Sequence, residues 1–493
     1  MTSDTSATGA AIDSEDASGG AYGYDTSNPA FPTLNGERAT QSAVLAAGPT
    51  VYSSRQDGKA ARKILSRTAL GDWDPDRRGH DALATILAQN TMRDQTLIPI
   101  RHGRMSASPW TYYRGAAAVM AADLGSRPHT GITVQLCGDA HVLNFGLWNT
   151  PERTLAFDLR DFDETIPGPF EWDLLRFLTS LVVLARENNV KATAAEKAVR
   201  AGFRGYRKWI REYSRWPILD VWAEKISVDE LITYIAKPAD GARLDSQLEK
   251  RAQKRTSRGA SKKMTHMVDG RRAIIEDPPY RVHALADYAE VLNHVIVSYY
   301  ESVPENVASL LRRFDLVDAV QQVVGVGSVG MRVFLNLVEE HGTGDPLFLQ
   351  VKQAGPSVYE QFLSPSTYAN HGQRVVNGQR LIQSASDMFL GWTRMGTWDF
   401  YVRQFRDGKV IPDGPMVANI LTEFATACGH VLARAHARSG DAAAIADYLG
   451  QSDKPENSAV RFAQAYADQT ERDHAQLAAA VADGTIPSAP GWP

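Results

Sequence analysis

The stretch that most narrows the possible folds lies late in the chain. From Val320 to Ala354 the sequence reads VQQVVGVGSVGMRVFLNLVEE, then the turn HGTGDP, then LFLQVKQA. Gly325, Gly327 and Gly330 make a G-x-G-x-x-G. Two architectures use glycines spaced in this way. A dinucleotide fold needs a helix straight after them and an acid about twenty residues on. A nucleotide hairpin needs a second strand, then a third that carries a lysine. Here RVFLNLV follows, rich in Val, Phe and Leu and without a helical stripe, so three successive strands are predicted, with Lys352 on the third. The glycines would bring backbone amides close to phosphate oxygens. Ser328 at the loop tip would reach a γ phosphate, and Lys352 the α and β phosphates. The acid expected to pair with Lys352 is Glu360, the one glutamate before Glu423 on the following segment.

Around this block the pattern is mainly helical, which sets the class as α+β. GITVQL (131–136) reads as a buried strand, and TLAFDLRDFD (154–163) as a strand with Leu155, Phe157 and Leu159 on one face. A helical stripe of Leu174, Phe177, Leu178, Leu181 and Val182 predicts a helix from Glu171 to about Tyr213. Further helices are expected up to Arg313, after Tyr368, over Leu421–Gly440 and over 459–482. Residues 1–50 are rich in Ser, Thr, Ala, Gly and Asp and are expected to be a disordered tail. A helical lobe is expected over 51–315, a β-rich lobe over 316–410, and C-terminal helices packing back on the first lobe over 411–493.

Net charge is −4, from 53 Lys and Arg against 57 Asp and Glu, which gives no general case for nucleic acid or an anionic membrane as partner. Cys137 and Cys428 are the only cysteines, too few for a disulfide framework, and they point to a reducing, cytoplasmic setting. The first twenty residues have neither the basic nor the apolar region of a signal peptide. Nine Lys and Arg crowd residues 250–272, either as a solvated face or as a docking surface for an anion.

The chemistry concentrates in CGDAHVLNFG (137–146) and RDFDET (160–165). Asp139 and Asn144 are five apart on a loop, and Asp161 ends the next strand. Phosphoryl transfer needs a carboxylate to orient the nucleophile and take its proton, with hard oxygen ligands for Mg²⁺. His141 lies in the same loop and joins Asp139 as a catalytic candidate.

GDAHVLN resembles the H-G-D-x-H-x-x-N catalytic loop of aminoglycoside and choline-type kinases, with Cys137 in place of the usual His. DFDE is similar to their metal-binding D-x-D turn, and GPFEWDLLR to the segment that follows it. The resemblance implies that Asp139 is the catalytic base, Asn144 a metal ligand, Asp161 the main metal ligand and Asp173 a brace for the catalytic loop. The long gap before Asp161 leaves open whether Asp158 or Asp163 shares the metal. It further implies ATP and Mg²⁺ as cofactors and a small-molecule acceptor. Arg101, Arg104 and Arg114 would bind an anionic acceptor or clamp phosphates, unless they merely pair with Asp123 or similar acids.

In those kinases the glycine loop comes first and the catalytic loop later. Here the order is reversed, and the helix ending LARAHA (432–437) lies near the C-terminus. A protein-kinase-like two-lobed fold, circularly permuted by a cut between that helix and the catalytic loop, would reconcile the order. It requires the helix end near Arg438 to lie beside the strand before Asp139. From about residue 60 the chain also resembles an uncharacterised bacterial family, domain of unknown function 2252. That resemblance rests on RHGRMSASPWTYYRGAA, QLCGDAHVLNFG, DLRDFDET, PGPFEWDLLR, GVGSVGMR, GQRLIQSASDMFLGW and LARAHARSGD. Two other functional classes stand beside the phosphotransferase: a nucleotide-binding regulator without catalysis, and a metallophosphatase. The latter would need more His ligands, and NHG at Asn370 is the sole echo of one. Adenylyl transfer by the same fold is a further alternative.

Overall fold

Alternation along the late strands decides what faces what. The computed structural model describes residues 55–236, 241–283, 296–410 and 412–490. The expected tail at 1–50 lies outside them. All described residues fall in one unit, Pro49–Pro493.

Two short antiparallel pairs form the first β layer. β1 (Thr133–Leu136) pairs with β4 (Ile166–Pro169), Leu136 opposite Ile166. Between them in sequence lies the hairpin of β2 (Phe145–Asn149) and β3 (Leu155–Leu159), Phe145 opposite Leu159. These registers bring the loop leaving β1, 137–144, against the loop entering β4, 160–165. The one-sided alternation expected for β3 is not found. Asp158, on the other face from Phe157, is fully buried, because Arg434 covers it (Nη2–Oδ1 2.5 Å) and Ser384 donates its backbone N–H (3.3 Å).

The single helix expected from Glu171 to Tyr213 is two, Phe170–Glu187 and Ala192–Tyr213. Asn189 breaks it by adopting a left-handed φ of 55°, and Val190 N–H turns back to Ala185 O at 2.8 Å. Asparagine tolerates that region better than most residues, and here it ends a helix. The second of these helices packs on Leu421–Ser439 with the backbones almost touching. A Cβ on Gly429 would stand 2.3 Å from Gly202 O, so only glycine fits this crossing.

After the hairpin of β5 (Thr265–Val268) and β6 (Arg271–Ile274), an antiparallel sheet follows. It contains β7 (Arg281–His283), β8 (Phe314–Gln322), β9 (Val333–Glu340), β10 (Pro346–Ala354), β11 (Gly391–Met395) and β12 (Trp398–Gln404), in the order β11-β12-β10-β9-β8-β7. The predicted strands are β8, β9 and β10; β7, β11 and β12 were not anticipated. Leu347, Leu349 and Val351 of β10 face an apolar cluster with Tyr299, Val303 and Leu311. On the opposite face Phe348 packs with Leu335 and Leu337. Side chains alternate along a strand, so Gln350 and Lys352 follow Phe348 onto that second face. The helix His371–Ile382 connects β10 to β11.

The end of the Leu421–Ser439 helix meets β1: Gln135 N–H donates to Ser439 Oγ at 3.1 Å, and a Cβ on Gly440 would lie 2.7 Å from Thr133 O. No helix among the described residues is long and apolar enough to cross a membrane.

Candidate functional site

The loop after β1 is shaped from below. Asp173, in the first turn of the Phe170–Glu187 helix, accepts from the backbone N–H of Cys137 (2.7 Å) and Gly138 (3.0 Å). A buried carboxylate requires such donors, and here they fix the turn in which Gly138 takes φ 84°. One helical turn on, Arg176 donates from Nε to Asp139 Oδ1 at 2.6 Å. Arg176 is itself fully buried, and its Nη2 donates to Tyr113 O at 3.0 Å.

Asn144 ties the two loops together. Its Nδ2 donates to Asp139 O (2.9 Å) and Asp161 O (3.1 Å), and its Oδ1 accepts from Asp161 N–H (2.9 Å). The second lone pair of that oxygen stays free of these bonds. Asp161 Oδ1 is a buried oxygen with no hydrogen-bond partner in the structure. Across the cleft, Lys352 Nζ lies 3.7 Å from Asp161 Oδ1 and is ion-paired with Asp163, whose other oxygen accepts from Tyr401 Oη at 2.8 Å.

Burial pushes the Asp139 carboxyl up, more than Arg176 pulls it down. Burial acts the same way on Asp161, but there Lys352, Arg403, Arg160 and Lys409 outweigh it and hold the group below the ordinary carboxylate range. Burial also opposes charge on Lys352, and Asp161 with Asp163 overcomes it. His141 goes the other way. Burial, with Arg114 and Arg176 beside it, lowers its pKa well below the ordinary value. Its ring is neutral at neutral pH and stands edge-on to Trp110, with Nε2 3.9 Å from Asp139 Oδ2.

Asp139, His141, Asn144, Asp161, Asp163 and Lys352 line one cavity of about 450 Å³, together with Gly325, Gly327 and Ser328. The glycine hairpin forms its roof. Arg93 donates from Nη1 to Gly327 O (2.9 Å) and Val329 O (2.6 Å), and Asp94 N–H to Gly330 O (2.7 Å). A second cavity of about 740 Å³ shares Lys352, Asp163 and Ser328 with the first.

Of the sequence-predicted residues, Asp139, His141, Asn144, Asp161, Asp163, Gly325, Gly327, Ser328 and Lys352 line the first cavity. Gly330 stands behind the loop at φ 84°. Glu360 does not pair with Lys352. It follows β10 too closely to turn back, and its carboxylate instead accepts from Ser357 N–H (2.9 Å) and Ser366 N–H (3.3 Å). Asp158, left open above as a metal ligand, is paired with Arg434 and lies outside the cavity lining. Arg114 lines the cavity, Arg101 is buried against Gln89 and Gly115, and Arg104 donates to Val324 O. Asp123 is taken by Arg78, at 2.7 Å, and His80. Asn370 caps its helix by accepting from Gln373 N–H at 3.1 Å, so NHG is a helix start outside the cavity lining.

Arg176, Arg93, Tyr401, Arg403 and Lys409 were missed. A signal for Arg176 existed: an arginine inside LLRFLTSLVVLA, three residues after Asp173, shares the face that points at the loop 137–144.

No curated protein and no solved structure matches the chain. A family described as "Uncharacterized protein conserved in bacteria (DUF2252)" matches residues 93–480, and the chain belongs to that family.

Proposed function

We propose that the cleft transfers the γ-phosphoryl group of ATP, with Mg²⁺, to a hydroxyl of a small anionic acceptor. One observation carries the reading: Lys352, sent inward by the third strand of a glycine hairpin sheet, meets the carboxylates of Asp161 and Asp163 on a loop braced beside Asp139. Two features of the backbone support a permuted protein-kinase-like fold. Five of the sheet's six strands run β8-β9-β10-β12-β11, with the helix His371–Ile382 between β10 and β11 along the chain, as in the small lobe of that fold. The end of the Leu421–Ser439 helix lies against β1, as the permutation requires.

The residues present fit a hard divalent cation. Asp161 Oδ1 accepts no hydrogen bond and has Lys352 Nζ at 3.7 Å as its counter-ion, Asn144 Oδ1 keeps a lone pair, and Asp163 adjoins them. When bound, Mg²⁺ supplies charge neutralisation at the phosphate oxygens. Lys352 holds non-bridging oxygens, and the glycine amides approach from above. Asp139, oriented by Arg176, takes the hydroxyl proton as the new O–P bond forms and the bond to the departing ADP oxygen breaks.

A second reading has one observation behind it. The helix His371–Ile382 carries no acid, so the lysine lacks the helical partner of active kinases, which favours a nucleotide-binding regulator. One experiment separates them: an ADP-release screen over phosphorylatable metabolites, run beside Asp139→Asn. Transfer predicts a loss of about 10²–10⁴-fold in turnover with ATP binding retained. Turnover equal to the parent's removes Asp139 as base. ATP binding without turnover on any acceptor supports the regulator.

A further inference from the structure

The cleft does not share the sign of the molecule. The whole chain carries −4, yet the cavity is lined by eight Arg and Lys against four Asp and Glu, a local balance of +4. Mg·ATP brings about −2, so half of that excess would stay unanswered. The surplus sits at the end away from the glycine tip, where β12 leaves the sheet. Arg403 lies on the same face as Lys352, opposite Gln350 in register, and its Nη1 reaches Arg160 O at 3.5 Å. Arg160 runs across Gly146, where a Cβ would stand 2.8 Å from its Nε, and that Nε has no partner in the structure. Lys409 has Asp407 at 3.4 Å, and Arg255 reaches Lys409 O at 3.4 Å. Arg406 beside them adopts φ 59°, a costly backbone for a non-glycine residue.

We propose that Arg160, Arg403 and Lys409, with Arg255 at the mouth, form a second anion subsite that takes a phosphate group other than the one held by Lys352. Guanidinium forks suit phosphate oxygens geometrically, and an arginine with an unused, buried N–H is short of an acceptor. The electrostatics agree: burial, Arg403 and Arg160 push Lys409 down to about 8 against the pull of Asp407 and Asp387. The phosphate comes either from the nucleotide, lying with its tail towards β12, or from a phosphorylated acceptor. The subsite rests on this charge geometry and stands apart from the transfer reading.

Calorimetric titration of the full chain with inorganic phosphate tests it. Binding is expected in the millimolar range or tighter, weakened roughly tenfold or more in Arg403→Gln and Lys409→Gln. Arg255→Ala, at an exposed position, should weaken it too without risk to folding, whereas Lys63→Ala, at an exposed lysine outside the cavity lining, should leave it within about twofold. No binding, binding equal to the parent's in Arg403→Gln, Lys409→Gln and Arg255→Ala, or an equal loss in Lys63→Ala would overturn the subsite. Repeating the titration with saturating Mg·ATP assigns the source. Simultaneous binding supports a phosphorylated acceptor, and mutual exclusion supports the nucleotide's own phosphates. Failure of ATP to bind at all would strike the transfer reading and leave the phosphate result standing.

Discussion

Asp139 sits between opposing influences, burial that favours its proton and Arg176 that favours its charge. Its pKa stands above the ordinary 3.8. The base proposed above must be ionised, so turnover is expected above that pKa and should be lost as pH falls through it. Arg176→Met removes the influence that lowers the value and should move the rising limb of the pH–rate profile to higher pH, with Arg176→Lys restoring part of the shift. A profile unchanged in Arg176→Met would reduce Arg176 to a packing role. That Asp139, Asn144, Asp161 and Asp173 come together was legible in the order of the motifs that carry them. Arg403 was not, because it acts on a segment far away in sequence, whereas Arg176 left a signal one helical turn after Asp173. Glu360 was proposed as the sole glutamate before Glu423, and the turn at Ser357 holds its carboxylate away from Lys352.

At the scale of elements, the glycine hairpin is tied to the helical half through Arg93 and Asp94. Gly330 is its most constrained point, for a Cβ there would lie 2.9 Å from Arg93 Cβ at φ 84°. Gly330→Ala should cost about 1–2 kcal/mol in the loop geometry and weaken ATP·Mg affinity about tenfold in an equilibrium titration. Affinity within twofold of the parent would show that the loop does not shape the site. Arg93→Ala should speed hydrogen exchange at residues 325–330 while leaving exchange in β9 and β10 alone. The hairpin itself was readable because strand-forming residues follow the glycines. The β11–β12 pair was not. Its two short runs adjoin a helical pattern, and the turn depends on Gly396 at φ 56°, one glycine among many. The break between the helices at 187 and 192 was hidden by apolar periodicity that continues on both sides.

For the molecule as a whole, the Leu421–Ser439 helix joins distant parts of the chain: the Ala192–Tyr213 helix, β1 and, through Arg434, β3. Arg434 and Asp158 are both fully buried. Removing one member of such a pair strands a charge in a water-poor interior, so Arg434→Met should lower stability by about 3–5 kcal/mol in chemical denaturation. A loss below about 1 kcal/mol would mean that water or Ser384 already satisfies Asp158. The class, α+β, followed from the contrast between the late strands and the helical remainder. The permuted arrangement was suggested by the order of motifs alone, because order is all that a linear sequence records of topology.

Lys352 already serves as counter-ion to the two carboxylates that would grip a metal. Magnesium arriving unaccompanied therefore meets oxygens whose negative charge is spent, and it should gain little by binding. On the function proposed above, a nucleotide would change this by offering the ammonium a better partner, freeing the acids as the cation is delivered. Metal and nucleotide should accordingly enter as one traveller. Magnesium titrated alone should bind the parent feebly and Lys352→Met more tightly, and equal affinities would show that the lysine guards nothing.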